Sequence, residues 1–87
     1  MNMNEEADIH ARIKRMLVER LMLDVDPESI DSSENLAEAY DLDSVRLFEL
    51  VIGTEEEFEV SFEDDEFSVE KFRTVENIAS VIREKTS

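Results

Sequence analysis

Asp43-Ser44-Val45-Arg46-Leu47-Phe48-Glu49-Leu50-Val51-Ile52-Gly53-Thr54-Glu55-Glu56-Glu57-Phe58 is the stretch that decides the fold. Leu47, Leu50, Val51, Thr54 and Phe58 recur at three- and four-residue spacing and trace one face of a helix running from Ser44 to Glu59. Glu49, Gly53 and Glu56 fall on its outside, and Val45 and Ile52, seven residues apart, lie near the border between faces. Ser44 opens this helix. A helix N-terminus offers unpaired backbone N–H groups and a partial positive charge, so a phosphate ester on the serine oxygen would be well placed there. A serine at this position is ordinarily a cap, with Asp43 or Ser44 filling that role. Its hydroxyl is nevertheless the best candidate in the chain for covalent modification.

Helical spacing continues on both sides. Ile9, Ile13, Met16/Leu17 and Leu21 predict a first helix near residues 4 to 22, with Glu5, Glu6 and Asp8 at its start and Arg20 near its end. Asp24-Val25-Asp26-Pro27 ends that pattern, and a long polar connection to about Tyr40 carries two apolar anchors, Ile30 and Leu36. The segment from Phe62 to Phe72 holds three phenylalanines among acids and predicts a short third helix near Asp64 to Glu70. Thr74 then caps a last helix, with Val75, Ile78, Ala79 and Ile82 inward and Arg83 and Lys85 in its final turn. No segment has strand period and none repeats. The expected fold is all-α, a small four-helix bundle of three longer helices plus one short third helix, in a single domain over residues 1–87.

Composition bounds the chemistry. A chain of 87 residues buries only about two-thirds of its unfolded surface, which leaves little room for an enclosed active site. The protein is expected to be non-enzymatic by itself. Leu, Ile, Val and Phe number 26, enough for a packed core despite 38% charged residues. The net charge of −15 is unevenly spread, with 18 acidic residues and one basic residue, Arg46, between Asp24 and Glu70. Such a block solubilises the chain or steers it onto a basic docking surface. It argues against nucleic-acid binding, which needs Lys and Arg to displace counterions. The sequence has no membrane-length apolar run and no cysteine, so a cytoplasmic monomer is expected, and any thiol must come from a prosthetic group.

Other constellations fail. His10 is the lone histidine, expected to be exposed on the first helix, so neither a Ser/His/Asp triad nor a histidine-rich metal site can be built. Asp24-Val25-Asp26 and Asp41-Leu42-Asp43 echo the opening of a calcium loop but lack its glycine and terminal glutamate. Glu63-Asp64-Asp65-Glu66 would attract a divalent ion only by screening, and no metal site is assigned.

Asp43-Ser44-Val45 resembles the Asp-Ser-Leu signature of the acyl carrier protein family. The likeness continues through Phe48-Glu49-Leu50-Val51, Glu55-Glu56-Glu57-Phe58, Phe62 and Asp64, resumes at Lys71-Phe72-Arg73-Thr74-Val75, and spans Ile9 to Ile82. The resemblance implies that a phosphopantetheinyl transferase uses coenzyme A to place 4′-phosphopantetheine on Ser44, whose thiol then holds acyl groups as thioesters. Partners would be acyl-transferring, synthase or ligase enzymes with basic docking patches. Carried over, Asp43, Glu49, Glu55 and Glu56 correspond to the carboxylates those patches engage, and Val45 and Ile52 to the apolar contacts among them. Arg46 stands where family members often carry an acid, which would set partner choice. Leu47, Leu50, Val51, Thr54, Phe58, Phe62, Phe72 and Ile78 are candidates to line an acyl pocket, their ordinary reading being core packing.

Departures from the pattern leave the pathway open. Besides Arg46, Val45 replaces leucine, Asp41 and Leu42 replace small residues, Thr54 replaces an apolar residue, and the loop before Lys71 is slightly longer. Either a housekeeping carrier of fatty acid synthesis or a specialised paralogue with its own synthase or ligase fits. An aminoacyl or peptidyl carrier has the same motif. A small acidic helical protein binding a basic partner, with Ser44 only a cap, is the alternative from another class.

Overall fold

The first helix begins where its acidic start predicts and ends in a motif the sequence does not advertise. In the computed structural model, which describes residues 4–63 and 68–86, α1 spans Asn4–Leu21. Ile13, Met16, Leu17 and Leu21 are buried along one face. Met22 comes next in the left-handed region at φ 53°, and the Leu23 N–H returns to the Val18 carbonyl at 3.0 Å, closing the helix end. The same closure recurs twice. Leu42 N–H bonds the Ala37 carbonyl after Asp41 at φ 52°, and Val60 N–H bonds the Glu55 carbonyl after Glu59 at φ 54°. Glycine fits such positions best, yet the chain's one glycine, Gly53, lies elsewhere.

The connection from 22 to 43 has more structure than its polarity suggests. A 3-10 turn covers Pro27–Ser29, with Asp26 as its cap and proline in its first turn, where no N–H is required. A four-residue helix α2, Leu36–Ala39, is capped by Asn35, whose side-chain oxygen accepts the Glu38 N–H at 3.1 Å. The expected anchors hold this segment down: Ile30 and Leu36 are both buried. Two backbone hydrogen bonds, Leu36 N–H to the Arg73 carbonyl and Glu76 N–H to the Ser32 carbonyl, join it to the start of the last helix.

The decisive stretch forms α3, Ser44–Phe58, and the last helix is α4, Val75–Thr86. Thr74 Oγ1 accepts the Asn77 N–H at 3.0 Å, the predicted cap. The fold is the expected small all-α bundle, and its short α-helix is α2 before the serine. The predicted short helix near Asp64 to Glu70 lies largely outside the described residues; a 3-10 turn covers Glu70–Phe72 at the end of that segment. The acidic run Glu63-Asp64-Asp65-Glu66 likewise falls mostly outside them. Ile13, Leu17, Leu21, Leu36, Leu50, Phe72, Val75, Ile78 and Ile82 form one continuous core from every helix. Each such side chain contributes roughly 1.5–3 kcal/mol on burial.

Three arginines fasten α1 to α3, which run antiparallel. Arg46, in the first turn of α3, donates to the Leu21 carbonyl at the end of α1. Arg12 donates to the Glu57 carbonyl at 2.8 Å, near the end of α3, and its guanidinium lies 4.4 Å from the Phe58 ring centre. Each helix therefore receives a cation at its negative end from the other. Between them Arg20 pairs with Glu56, its stem crossing Gly53. Gly53 is buried rather than outward, because a Cβ there would sit 3.0 Å from Arg20 Cγ and 3.1 Å from Met16 Sδ.

Candidate functional site

At the start of α3 the roles of two adjacent residues separate. Asp43 is the cap: its backbone is extended and its Oδ1 accepts the Arg46 N–H at 2.9 Å. Ser44 is the first helical residue, exposed, and its hydroxyl has no partner among the described residues. The amides of Ser44 and Val45 have no carbonyl one turn behind them to bond, and they carry the positive end of the helix dipole.

Beside that hydroxyl lies an apolar hollow of about 440 Å³ walled by Ser44, Val45, Leu47, Phe48 and Val69. Val45, Phe48 and Val69 are 69%, 62% and 52% exposed, an unusual grouping of large apolar side chains on so charged a chain. A larger hollow of about 610 Å³, walled by His10, Ala11, Lys14, Arg15, Pro27 and Glu28, contains no residue of α3. The smaller one is the candidate because the exposed Ser44 hydroxyl forms part of its wall.

The residues singled out by sequence divide sharply. Leu50, Val51, Thr54, Phe72 and Ile78 are buried in the closed core, while Leu47, Phe58 and Phe62 pack half-buried against it. Phe62 meets Phe72 edge to face at 5.5 Å between ring centres. Thr54 is the buried polar side chain among the described residues, and its hydroxyl donates to the Leu50 carbonyl at 2.8 Å. Of these, Leu47 alone also lines the hollow.

On the outer side, Glu49 is exposed with no partner among the described residues, and Ile52 is half-buried. Glu55 accepts the Phe62 N–H at 2.8 Å, Glu56 pairs with Arg20, and Arg46 reaches Leu21. His10 is half-buried rather than exposed, because Nδ1 approaches Ser32 Oγ at 3.0 Å across the 31–35 loop. Among the described residues no group of His, Asp and Glu side chains converges as a metal site, and no helix is long and apolar enough to cross a membrane.

Phe48 and Val69 are the site residues that helical phase alone missed. The signal was present: Phe48 sits with Val45 and Ile52 on a second apolar stripe, away from the core face. Val69 carried none, since its place depends on the adjoining 3-10 turn.

The arrangement suits a phosphodiester-linked arm. An exposed, unpaired hydroxyl at a helix N-terminus accepts a phosphate without burying its charge, and the hollow offers apolar surface to the rest of the arm. The sequence model of the family described as phosphopantetheine attachment site matches residues 11–82. The chain is 39% identical to the acyl carrier protein of Picosynechococcus sp. over 97% of its length and 96% of the relative's. It is 34% identical to that of Bdellovibrio bacteriovorus over 88% and 94%. A carrier protein from Agrobacterium tumefaciens, solved with an engineered Bradyrhizobium japonicum glycine:carrier-protein ligase and AMP, has the same fold. Its TM-score is 0.75 and its identity 24%, over 85% of this chain and 97% of that one. The cofactor of this family is covalently held 4′-phosphopantetheine, and helical fold, size and sequence agree: the chain belongs to the acyl carrier protein family.

Proposed function

We propose that Ser44 is the attachment site of the phosphopantetheine arm and that residues 1–87 act as one monomeric, cytoplasmic, non-catalytic carrier domain. What carries this reading is the division of roles at the start of α3, where Asp43 caps the helix and leaves the Ser44 hydroxyl exposed and unpaired. In the loading step, Ser44 Oγ forms a bond to the phosphorus of coenzyme A nearest pantetheine. The bond to adenosine 3′,5′-bisphosphate breaks, and the hydroxyl proton passes to a base of the transferase. When bound, the arm supplies the thiol that holds acyl groups as thioesters. The helix N-terminus stabilises the phosphate charge, and the chain tethers cargo so that each partner enzyme meets it at high effective concentration.

Partners are a phosphopantetheinyl transferase and acyl-transferring, synthase or ligase enzymes of fatty-acid, lipid or polyketide-type biosynthesis. An amino-acid cargo is the second reading, supported by the fold shared with a carrier that was solved with a glycine ligase. Incubation with coenzyme A and a broad-specificity transferase, followed by intact-protein mass spectrometry, is expected to show addition of one arm to wild type and none to Ser44→Ala. An unmodified wild type contradicts the proposal. Offering the loaded protein acyl-transferring and amino-acid-activating enzymes then separates the two cargoes.

A further inference from the structure

The cations of α1 divide by face. Arg12 and Arg20 are paired with Glu57 and Glu56 of α3 and fasten the two helices. Lys14 and Arg15 lie on the flank turned toward Pro27–Ser29 and have no hydrogen-bond or ion-pair partner among the described residues. Asp31 feels the charge of Lys14, but its carboxyl is held below the usual range first by hydrogen bonds from the Ser33 amide and hydroxyl, Lys14 contributing least. Lys14 and Arg15 are therefore cations that the fold itself does not use.

Both belong to the hollow of about 610 Å³ that lies apart from α3. His10 and Lys14, and likewise Ala11 and Arg15, stand four residues apart, so the four form one continuous patch of α1. Pro27 and Glu28 face them from a turn that is locked: the Asp26 side chain accepts the Glu28 N–H at 3.0 Å, and its carbonyl accepts the Ser29 hydroxyl at 2.7 Å. His10 Nδ1 lies 3.0 Å from Ser32 Oγ, tying α1 to the loop that follows the turn. Both walls are thus set without a ligand, and the volume falls in the range of small-molecule sites, roughly 300–1,000 Å³. The hollow of about 320 Å³ on α4 sets one cation, Lys71, against Glu70 and Glu84, and in that of about 230 Å³ the Lys85 cation already stands over the Phe62 ring.

Two adjacent cations suit a dianion, and a phosphate monoester is one near neutral pH, its second pKa being about 6. The arginine fork matches phosphate oxygens in pairs, while lysine adds a point charge. Glu28 requires a donor on the same ligand, which the hydroxyls of a sugar supply, and Ala11, Pro27 and the His10 ring offer surface to a flat base. An acidic protein is a poorer occupant, because it would bring many carboxylates against a chain of net charge −15. A small anion meets only the hollow, and charges more than about 10 Å away are screened from it at 0.1 M salt.

We infer that the hollow between α1 and the Pro27–Ser29 turn binds a nucleoside monophosphate, its phosphate on Lys14 and Arg15, its sugar hydroxyls on Glu28 and its base against Ala11 and Pro27. This site shares no residue with the hollow beside Ser44 and does not depend on the attachment reading.

The test is titration of the full chain with adenosine 5′-monophosphate, followed by amide chemical shifts in NMR, with inorganic phosphate, adenosine and tetraglutamate as separate arms. Saturable shifts centred on residues 10–15 and 27–28 are expected, with adenosine and inorganic phosphate each binding at least about tenfold more weakly than the nucleotide. Lys14→Ala and Arg15→Ala should each weaken nucleotide binding about tenfold, the size of effect expected from losing a charge-assisted hydrogen bond. Glu28→Gln should weaken the nucleotide without weakening inorganic phosphate, and Ser44→Ala should bind as wild type does. Arg15 is exposed, so its truncation is compatible with folding, which circular dichroism checks for every variant. No shift at these residues up to about 10 mM nucleotide, or equal affinity in wild type and Arg15→Ala, overturns the inference. Tetraglutamate shifting these amides where the nucleotide does not would assign the surface to an acidic protein and overturn it as well.

Discussion

Removing the Arg46 guanidinium tests whether the one basic side chain between Asp24 and Glu70 holds the bundle together. Its donation to the Leu21 carbonyl places a cation at the negative end of α1, two residues from Ser44. A buried bond of this kind is worth roughly 1.5–3 kcal/mol. Arg46 is exposed, however, so the range for an exposed cation at a helix C-terminus applies, about 0.3–1 kcal/mol. Arg46→Ala should therefore cost up to about 1 kcal/mol, lowering the melting midpoint of a domain this size by up to about 4–8 °C. Arg46→Glu puts an anion beside the same carbonyl and should cost about twice as much. Lys14→Ala makes the same change in net charge without touching a helix end, so it serves as the control. Thermal unfolding of the three variants by circular dichroism at fixed ionic strength gives the comparison. Equal midpoints for Arg46→Ala and Lys14→Ala would refute the reasoning and return Arg46 to a purely partner-facing role.

Met22→Gly should raise stability by about 1 kcal/mol, because Met22 holds φ 53° while its side chain is 86% exposed; an unchanged or lower midpoint in thermal unfolding would contradict this. Tyr40 is the only tyrosine and its pKa is pushed up to about 12, first by burial and then by its hydrogen bond to Glu34 and the charge of that carboxylate. Since the folded value lies above the unfolded one near 10, its contribution to stability is complete below about pH 10 and lost as pH rises through 12. Tyrosinate absorbance of the folded protein that titrates near 10 would rule this out. Added salt should raise the melting midpoint, the Debye length falling from about 30 Å at 0.01 M to about 10 Å at 0.1 M. Repulsion within a chain of net charge −15 should outweigh the loss of the exposed pairs Arg12–Glu57 and Arg20–Glu56. A flat or falling midpoint would mean that those pairs matter more than the repulsion.

What the sequence revealed depends on the reach of each interaction. The three long helices were legible because Ile13, Leu17, Leu50, Val75 and Ile78 repeat with helical period over many turns. Helix α2 was not, since four residues are too few to show a period, although Asn35 and Glu38 stand three apart as a cap and its partner do. Helical phase places Gly53 on the outer face; its burial comes from Arg20 and Met16 on a different helix, far away in sequence. The same holds for Glu55 and Glu56, whose partners Phe62 and Arg20 cannot be inferred from α3 alone. Ser44 was the most visible feature of the site, because the geometry that exposes it, a helix start capped by its neighbour, is local.

Carrier function depends on one oxygen atom, Ser44 Oγ. Digestion of transferase-treated protein with trypsin would cut after Arg20 and Arg46, giving a peptide from Leu21 to Arg46 that contains Ser29, Ser32, Ser33 and Ser44. Fragmentation of that peptide by tandem mass spectrometry locates the phosphopantetheine among the four serine hydroxyls. A single arm on Ser44 is the expected result; an arm on Ser29, Ser32 or Ser33, on another peptide, or on none would contradict the account.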